Sequence, residues 1–181
     1  MILLRHGQTI FNAVFGVTRI DPGVIDPPLT AEGRRQIATA IDGLAELPLR
    51  RLVSSPYTRA LETAEIVASR LKLPVAIDPL AGERGLFACD IGTARSRLLQ
   101  RWPHHAFAEF EEEWWRSAES EEVFAARCCR FREAVTILED WPGVLVITHW
   151  GVIRKLTGRS IANGEWVRFD PHAPLAWPGE D

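Results

Sequence analysis

The run VLVIT at 144–148 carries no charge, and four of its five residues are β-branched. An extended chain turns successive side chains to opposite faces, so a run apolar on both faces predicts a central strand covered on both sides. Such a strand obliges the rest of the chain to supply two covering layers. MILL at 1–4, RLVSS at 51–55 and VAID at 75–78 read as further short strands. Thr30 caps a helix whose apolar stripe is Ile37, Ile41, Leu44 and Leu47 and which ends before Pro48. Ser55 followed by Pro56 reads as a cap with proline at the first helical position, and Ala60, Ala64, Val67 and Leu71 form the buried face of the helix that follows, which stops near Pro74. From Ser120, residues Phe124, Cys128, Phe131, Val135 and Leu138 recur at spacings of 4, 3, 4 and 3, which puts Cys128 in the core. A last helix is expected at 151–157. EWVRF at 165–169 reads as an edge strand, and the proline-rich residues 171–181 read as a loose tail.

Strands alternating with helices define an α/β fold, expected as a three-layer sandwich with a mostly parallel central sheet flanked by helices. With 181 residues and 46% hydrophobic content the chain fills one sizeable core, so a single domain over 1–181 is expected, with 79–118 as an irregular insertion or lid containing one short helix at 94–101. A net charge of −3 offers no general attraction to nucleic acid or to an anionic membrane. No apolar run reaches the roughly 20 residues of a membrane span, and no basic segment precedes the first apolar run, so a soluble, cytoplasmic protein is expected. Cys89, Cys128 and Cys129 make neither an even disulfide framework nor a zinc spacing, which points to reduced thiols. His104 and His105 lack a third ligand at a sensible spacing and read as part of a surface loop, so no metal is expected. His172, near the end of the chain, receives no role.

In parallel sheets, ligands gather beyond the carboxyl ends of the strands. Arg5 and His6 follow the first strand, Arg59 lies in the first turn of the helix after the second, and His149 directly follows VLVIT. Two guanidinium groups and two imidazoles near helix N-termini suit a dianion, and a phosphoryl group fits best. Neighbouring cations disfavour the imidazolium, which keeps His6 neutral and nucleophilic near pH 7. One histidine can then attack while the other donates.

These residues belong to longer segments. RHGQTIFN at 5–12, DPPLTAEGRRQ at 26–36, SSPYTRALETA at 54–64 and THWGVIR at 148–154 resemble, in order and spacing, the signature segments of the histidine phosphatase superfamily, also called the phosphoglycerate-mutase-like family. The resemblance covers nearly the whole chain and implies the fold of that family. It identifies His6 with the nucleophile that becomes phosphorylated, Arg5 and Arg59 with the phosphate clamps, and His149 with the second pocket histidine that hydrogen-bonds the transferring group. Asn12 corresponds to a polar pocket residue. A carboxylate in mid-chain protonates the leaving oxygen in this family and then helps activate water; Glu83 in LAGERGLFACDIG is the best match, with Asp90 as the alternative. Such a role asks for a raised carboxyl pKa. Arg84 and Trp150 are assigned to substrate binding. Trp150 stands where many members have glycine, and would either narrow the pocket or turn outward; ACDIG replaces a tryptophan-glutamate-glycine pattern.

The implied activity is metal-independent, cofactor-free hydrolysis of a phosphomonoester through a phosphohistidine on His6. The partner is a small phosphorylated substrate, with a phosphoprotein also compatible, and the sequence leaves the oligomeric state open. Two other readings stand beside it. Trp150 and the altered segment after Glu83 fit a non-catalytic or regulatory phospholigand-binding protein, and a phosphoglycerate mutase is disfavoured because mutases of this family are generally longer. The stretch at 107–122 holds seven glutamates around Trp114 and Trp115. These tryptophans are expected to cover the core rather than form a lid over the pocket mouth.

Overall fold

The computed structural model describes residues 1–107 and 109–173. Its strands are β1 (Ile2–Arg5), β2 (Arg51–Ser54), β3 (Val75–Ile77), β4 (Val144–Thr148) and β5 (Trp166–Arg168). The helices are α1 (Ile10–Thr18), α2 (Ala31–Leu44), α3 (Thr58–Leu71), α4 (Arg95–Arg101), α5 (Glu121–Thr136) and α6 (Trp150–Thr157). The strands form one sheet in the order β3-β2-β4-β1-β5, all parallel except the edge strand β5, which runs antiparallel to β1.

β4 is buried at every position, as its composition requires. Its alternate residues feed two separate apolar layers. Val144 and Val146, with Leu3 of β1, pack against Phe124, Phe131 and Val135 of α5 and Val152, Ile153 and Leu156 of α6. Leu145 and Ile147, with Ile2 and Leu4, pack on the other face against Ile37, Ile41 and Leu44 of α2 and Ala60, Ala64 and Val67 of α3. The three layers expected from the sequence are thus present, and Cys128 is in the core. A third cluster, Leu61, Leu98, Trp102 and Phe107, lies between α3 and α4.

Register places the functional ends together. Arg5 pairs with Thr148, and Ser54 with Ile147. The residues just past these strands, His6, Ser55 and His149, therefore leave the sheet at one edge. The N–H of His6 donates to Thr148 O at 3.1 Å and that of Ser55 to Ile147 O at 3.1 Å, so both loops start from a fixed position.

The structure adds one element and corrects two local readings. The sequence reading assigns no element to 10–18, where α1 forms with only Phe11 of its residues buried. It forms because Thr9 and Asn12 close a capping box in which each side chain accepts from the other's backbone N–H. Asparagine in place of the usual glutamate or glutamine hides that signal in the sequence. Secondly, Ser55 and Pro56 do not begin α3; Tyr57 is its N-cap and contributes no side-chain bond. The carboxylate of Asp26 does that work from a distant loop, accepting from the Thr58 N–H at 2.9 Å and the Thr58 hydroxyl at 2.7 Å. Ser55 is thereby free for another partner. Thirdly, His105 is buried, and Glu65 of α3 is the third group that the sequence spacing lacks: its Oε1 lies 2.7 Å from His105 Nε2 and 3.1 Å from His104 Nε2. The pair ties the loop after α4 to α3.

The segment 79–118 contains short 3₁₀ turns at Pro79–Ala81 and Ala88–Asp90 as well as α4. Trp114 rests edge-on against Tyr57, and its indole N–H donates to Thr93 O at 2.8 Å, which agrees with a core-covering role. The three cysteines are unpaired thiols. Most of the expected tail at 171–181 lies outside the described residues. Among the described residues no helix is long and apolar enough to cross a membrane.

Candidate active site

A cavity of about 890 Å³ opens where β1 and β4 end. Arg5, His6, Arg59, Glu83 and Asp90 line its depth, together with Asn12, Arg84, Trp150 and Gly151. Of the residues assigned to the site from the sequence, His149 alone does not line it. That residue is fully buried, with its ring centroid 5.1 Å from that of His6.

Hydrogen bonds fix the tautomer of each histidine. His6 Nδ1 lies 2.8 Å from Gly7 O. A carbonyl only accepts, so Nδ1 carries the proton and Nε2 keeps its lone pair. In His149, Nδ1 accepts from Arg59 Nε at 3.3 Å, which leaves Nε2 to donate to Ser55 Oγ at 2.8 Å. The second histidine therefore backs the first and holds Arg59, with both nitrogens engaged.

Arg59 reaches the cavity from the first turn of α3 and is held on all sides. Its Nη1 donates to Cys89 O at 2.6 Å and its Nη2 to Asp90 Oδ1 at 3.0 Å, while the guanidinium lies 4.4 Å above the Tyr57 ring. Asp90 also accepts from the N–H groups of Leu86 and Phe87. Its carboxylate is thus the counter-ion of Arg59 and the pin of its own loop, with both oxygens already engaged. Arg5 is held through Nη1 on Ile161 O at 2.8 Å, whereas its buried Nε has no partner among the described residues. A buried N–H with nothing to donate to costs about 1–3 kcal/mol, which makes it a ready donor for an incoming anion.

Glu83 faces these cations. Its Oε1 accepts from the Arg84 N–H at 3.0 Å and its Oε2 from the Gly151 N–H at 3.1 Å. Burial and the nearby Asp90 carboxylate raise its pKa above the usual carboxylate range, against the pull of the two backbone N–H groups and Arg59. This is the shift an acid donor needs. Gly151 is a residue the sequence reading passed over: a Cβ there would lie 2.3 Å from Glu83 Oε1, so only glycine admits the carboxyl group so close to α6.

Arg127 was also missed. From α5 it donates to Leu80 O at 2.9 Å, Gly82 O at 2.7 Å and Glu83 O at 3.0 Å, and pairs through two nitrogens with Glu119. Its signal was an arginine three residues after Phe124, on the buried side of an amphipathic helix. The side chain of Arg84 turns to Glu119 O and to the Glu121 carboxylate. Trp150 is half-exposed, its indole N–H donating to Ser160 Oγ at 2.8 Å and its face covered by Arg154. Asn12 lines the cavity while its Oδ1 closes the cap of α1.

Burial, and then the Arg59 and Arg5 cations, hold His6 well below the ordinary histidine pKa; burial, Arg59 and the His6 ring do the same for His149. A histidine depressed in the folded state binds its proton more readily when unfolded. Stability is then present above the unfolded pKa of about 6.5 and is lost as pH falls below it, by about 1.4 kcal/mol per pH unit for each ring. Glu83, raised by burial, acts in the opposite sense as pH falls through its folded value and so offsets part of this loss. Urea unfolding should therefore show a loss of about 3 kcal/mol between pH 7 and pH 5. Equal stability at the two pH values would show that the rings are not held neutral.

A neutral ring nitrogen, fixed guanidinium groups and an enclosed carboxyl group sharing one cavity place this chain among the α/β proteins suited to phosphoryl chemistry. The chain belongs to the histidine phosphatase superfamily (branch 1), which it matches over residues 1–173. It is 28% identical over 204 residues to glucosyl-3-phosphoglycerate phosphatase of Mycolicibacterium vanbaalenii, spanning 95% of this chain and 84% of that one. It is also 28% identical over 163 residues to adenosylcobalamin/α-ribazole phosphatase of Escherichia coli, spanning 88% and 77%. A solved mycobacterial glucosyl-3-phosphoglycerate phosphatase bound to VO3 shares the fold, with a TM-score of 0.63 at 24% identity over 92% of this chain and 88% of that chain.

Proposed function

We propose that this protein hydrolyses phosphomonoesters by passing the phosphoryl group through His6. The observation that carries the reading is the unprotonated Nε2 of His6 beside Arg5, whose Nε–H has no partner among the described residues, and Arg59. Nε2 attacks phosphorus as the ester P–O bond breaks, and Glu83 gives its proton to the departing oxygen. Water then attacks the phosphohistidine, Glu83 recovers a proton from it, and the P–N bond breaks to release phosphate. Arg5 and Arg59 neutralise the oxygens throughout, the electrostatic part that metal ions supply in many other phosphoryl-transfer enzymes. His149 keeps the His6 ring and Arg59 in register.

Rapid alkaline quenching during turnover of a radiolabelled aryl phosphate, in excess chelator, tests this directly. A phosphoryl group on His6, stable in base and labile in acid, is the expected result. Label on a hydroxyl or carboxylate side chain, or turnover that stops with chelation, would overturn the reading. The absence of any turnover, with phosphate ligands still bound, would favour the phospholigand-binding alternative.

A further inference from the structure

One wall of the catalytic cavity is apolar in a way that phosphoryl transfer does not require. Phe11 and Phe15, four residues apart on α1, present adjacent rings with centroids 5.2 Å apart and planes inclined by 12°. Phe87, from the loop that follows Glu83, leans on both, at 5.3 Å from Phe11 and 5.1 Å from Phe15. All three line the cavity, together with Leu86. Phe87 is 38% exposed and Leu86 57% exposed, so large apolar side chains are held open to water inside a concave site. Exposed apolar surface gathered in a cavity marks a binding surface.

The charged group beside these rings is Arg19, whose guanidinium lies over the Phe15 ring at 5.8 Å. Thr9 and Asn12 also line the cavity, and the oxygen of Asn12 is already taken up by the Thr9 hydroxyl and N–H, at 3.0 and 2.9 Å. A sugar hydroxyl seated against the faces of Phe11 and Phe87 would lose its water, and the rings themselves offer it no equivalent partner. Elsewhere in the lining the groups are charged, with Arg84 paired to Glu121 and Arg154 lying over Trp150. An apolar ring attached to a phosphate held by Arg5, His6 and Arg59 finds its aromatic contacts at Phe11, Phe15 and Phe87.

We infer that the wall formed by Phe11, Phe15 and Phe87 binds the leaving group, and that the preferred substrate is a phosphomonoester of an apolar, ring-bearing alcohol. The inference rests on the reading of this cavity as a phosphatase site. Burying a phenyl ring there raises kcat/KM by about tenfold or more relative to a leaving group that stops short of the wall.

The probes are 2-phenylethyl phosphate and ethyl phosphate, whose leaving alkoxides are nearly equal in basicity, so that the ring is the main difference. The native protein is expected to favour the phenylethyl ester by about tenfold or more in kcat/KM. In Phe15→Ala/Phe87→Ala that ratio should collapse toward one, with circular dichroism confirming the fold. Should the double variant not fold, Phe87→Ser, at an exposed loop position, is read in the same way. A native ratio near one, with phosphohistidine still forming, would overturn the inference and leave the phosphatase reading standing. So would an unchanged ratio in a folded variant. Failure of both esters and of every other monoester to phosphorylate His6 would instead sink the phosphatase reading itself, and the inference with it.

Discussion

His6→Ala is expected to fold and to lose at least about 10,000-fold in kcat/KM on an aryl phosphate, the scale seen when a covalent nucleophile is deleted. No neighbour can replace the missing nitrogen. His149 is fully buried and spends Nδ1 on Arg59 and Nε2 on Ser55. Cys89 lines the same cavity, but burial pushes its thiol far above the ordinary range, so it supplies no thiolate at neutral pH. Water attacking the ester directly would still meet Arg5 and Arg59, and whatever rate remains measures that electrostatic contribution. The imidazole spans only one strand end, so its loss leaves the sheet register intact, and near-native urea midpoints at pH 7 are expected. Turnover within about tenfold of the native protein, in a folded variant, would remove His6 from the chemistry.

The reasons for this assignment were legible in the sequence to very different degrees. VLVIT forced a central strand, and its alternation alone dictated two helical layers, which are those observed. Arg5, His6 and Arg59 could be placed because each stands beside a strand or helix boundary, and the parallel register converts such boundaries into neighbours in space. What the sequence could not show are partnerships made across long separations. Asp26 capping α3 spans 32 residues, and Glu65 meeting His105 spans 40. Nothing local marks Asp26 as a cap, so Ser55, with the stronger local pattern, took its place in the reading. The same limit applies to Asp90. As a carboxylate near Glu83 it was a reasonable acid, and only its contacts with Arg59, Leu86 and Phe87 reveal it as a counter-ion. Gly151 belongs with these, because the need for glycine arises from a carboxyl group 68 residues away.

Arg127 ties α5 to the loop that carries Glu83, and its replacement has the second large expected effect. Arg127→Met keeps most of the apolar stem but removes donors from the carbonyls of Leu80, Gly82 and Glu83 and from a Glu119 carboxylate whose side chain is 0% exposed. Stranding a buried charge in this way costs about 3–5 kcal/mol, to be read from urea unfolding at pH 7. Glu119→Gln in the same chain removes the stranded charge, so the double variant should recover about 1–3 kcal/mol through their coupling. Turnover should not recover with it, because the loop that positions Glu83 still lacks its clamp; misplacing a reacting group by about 1 Å costs about 100-fold. The split between the two readouts separates a positioning role from a structural one. If Glu119→Gln restores kcat along with stability, Arg127 supports the fold alone, whereas a persistent deficit in kcat at regained stability assigns it to holding the acid opposite His6.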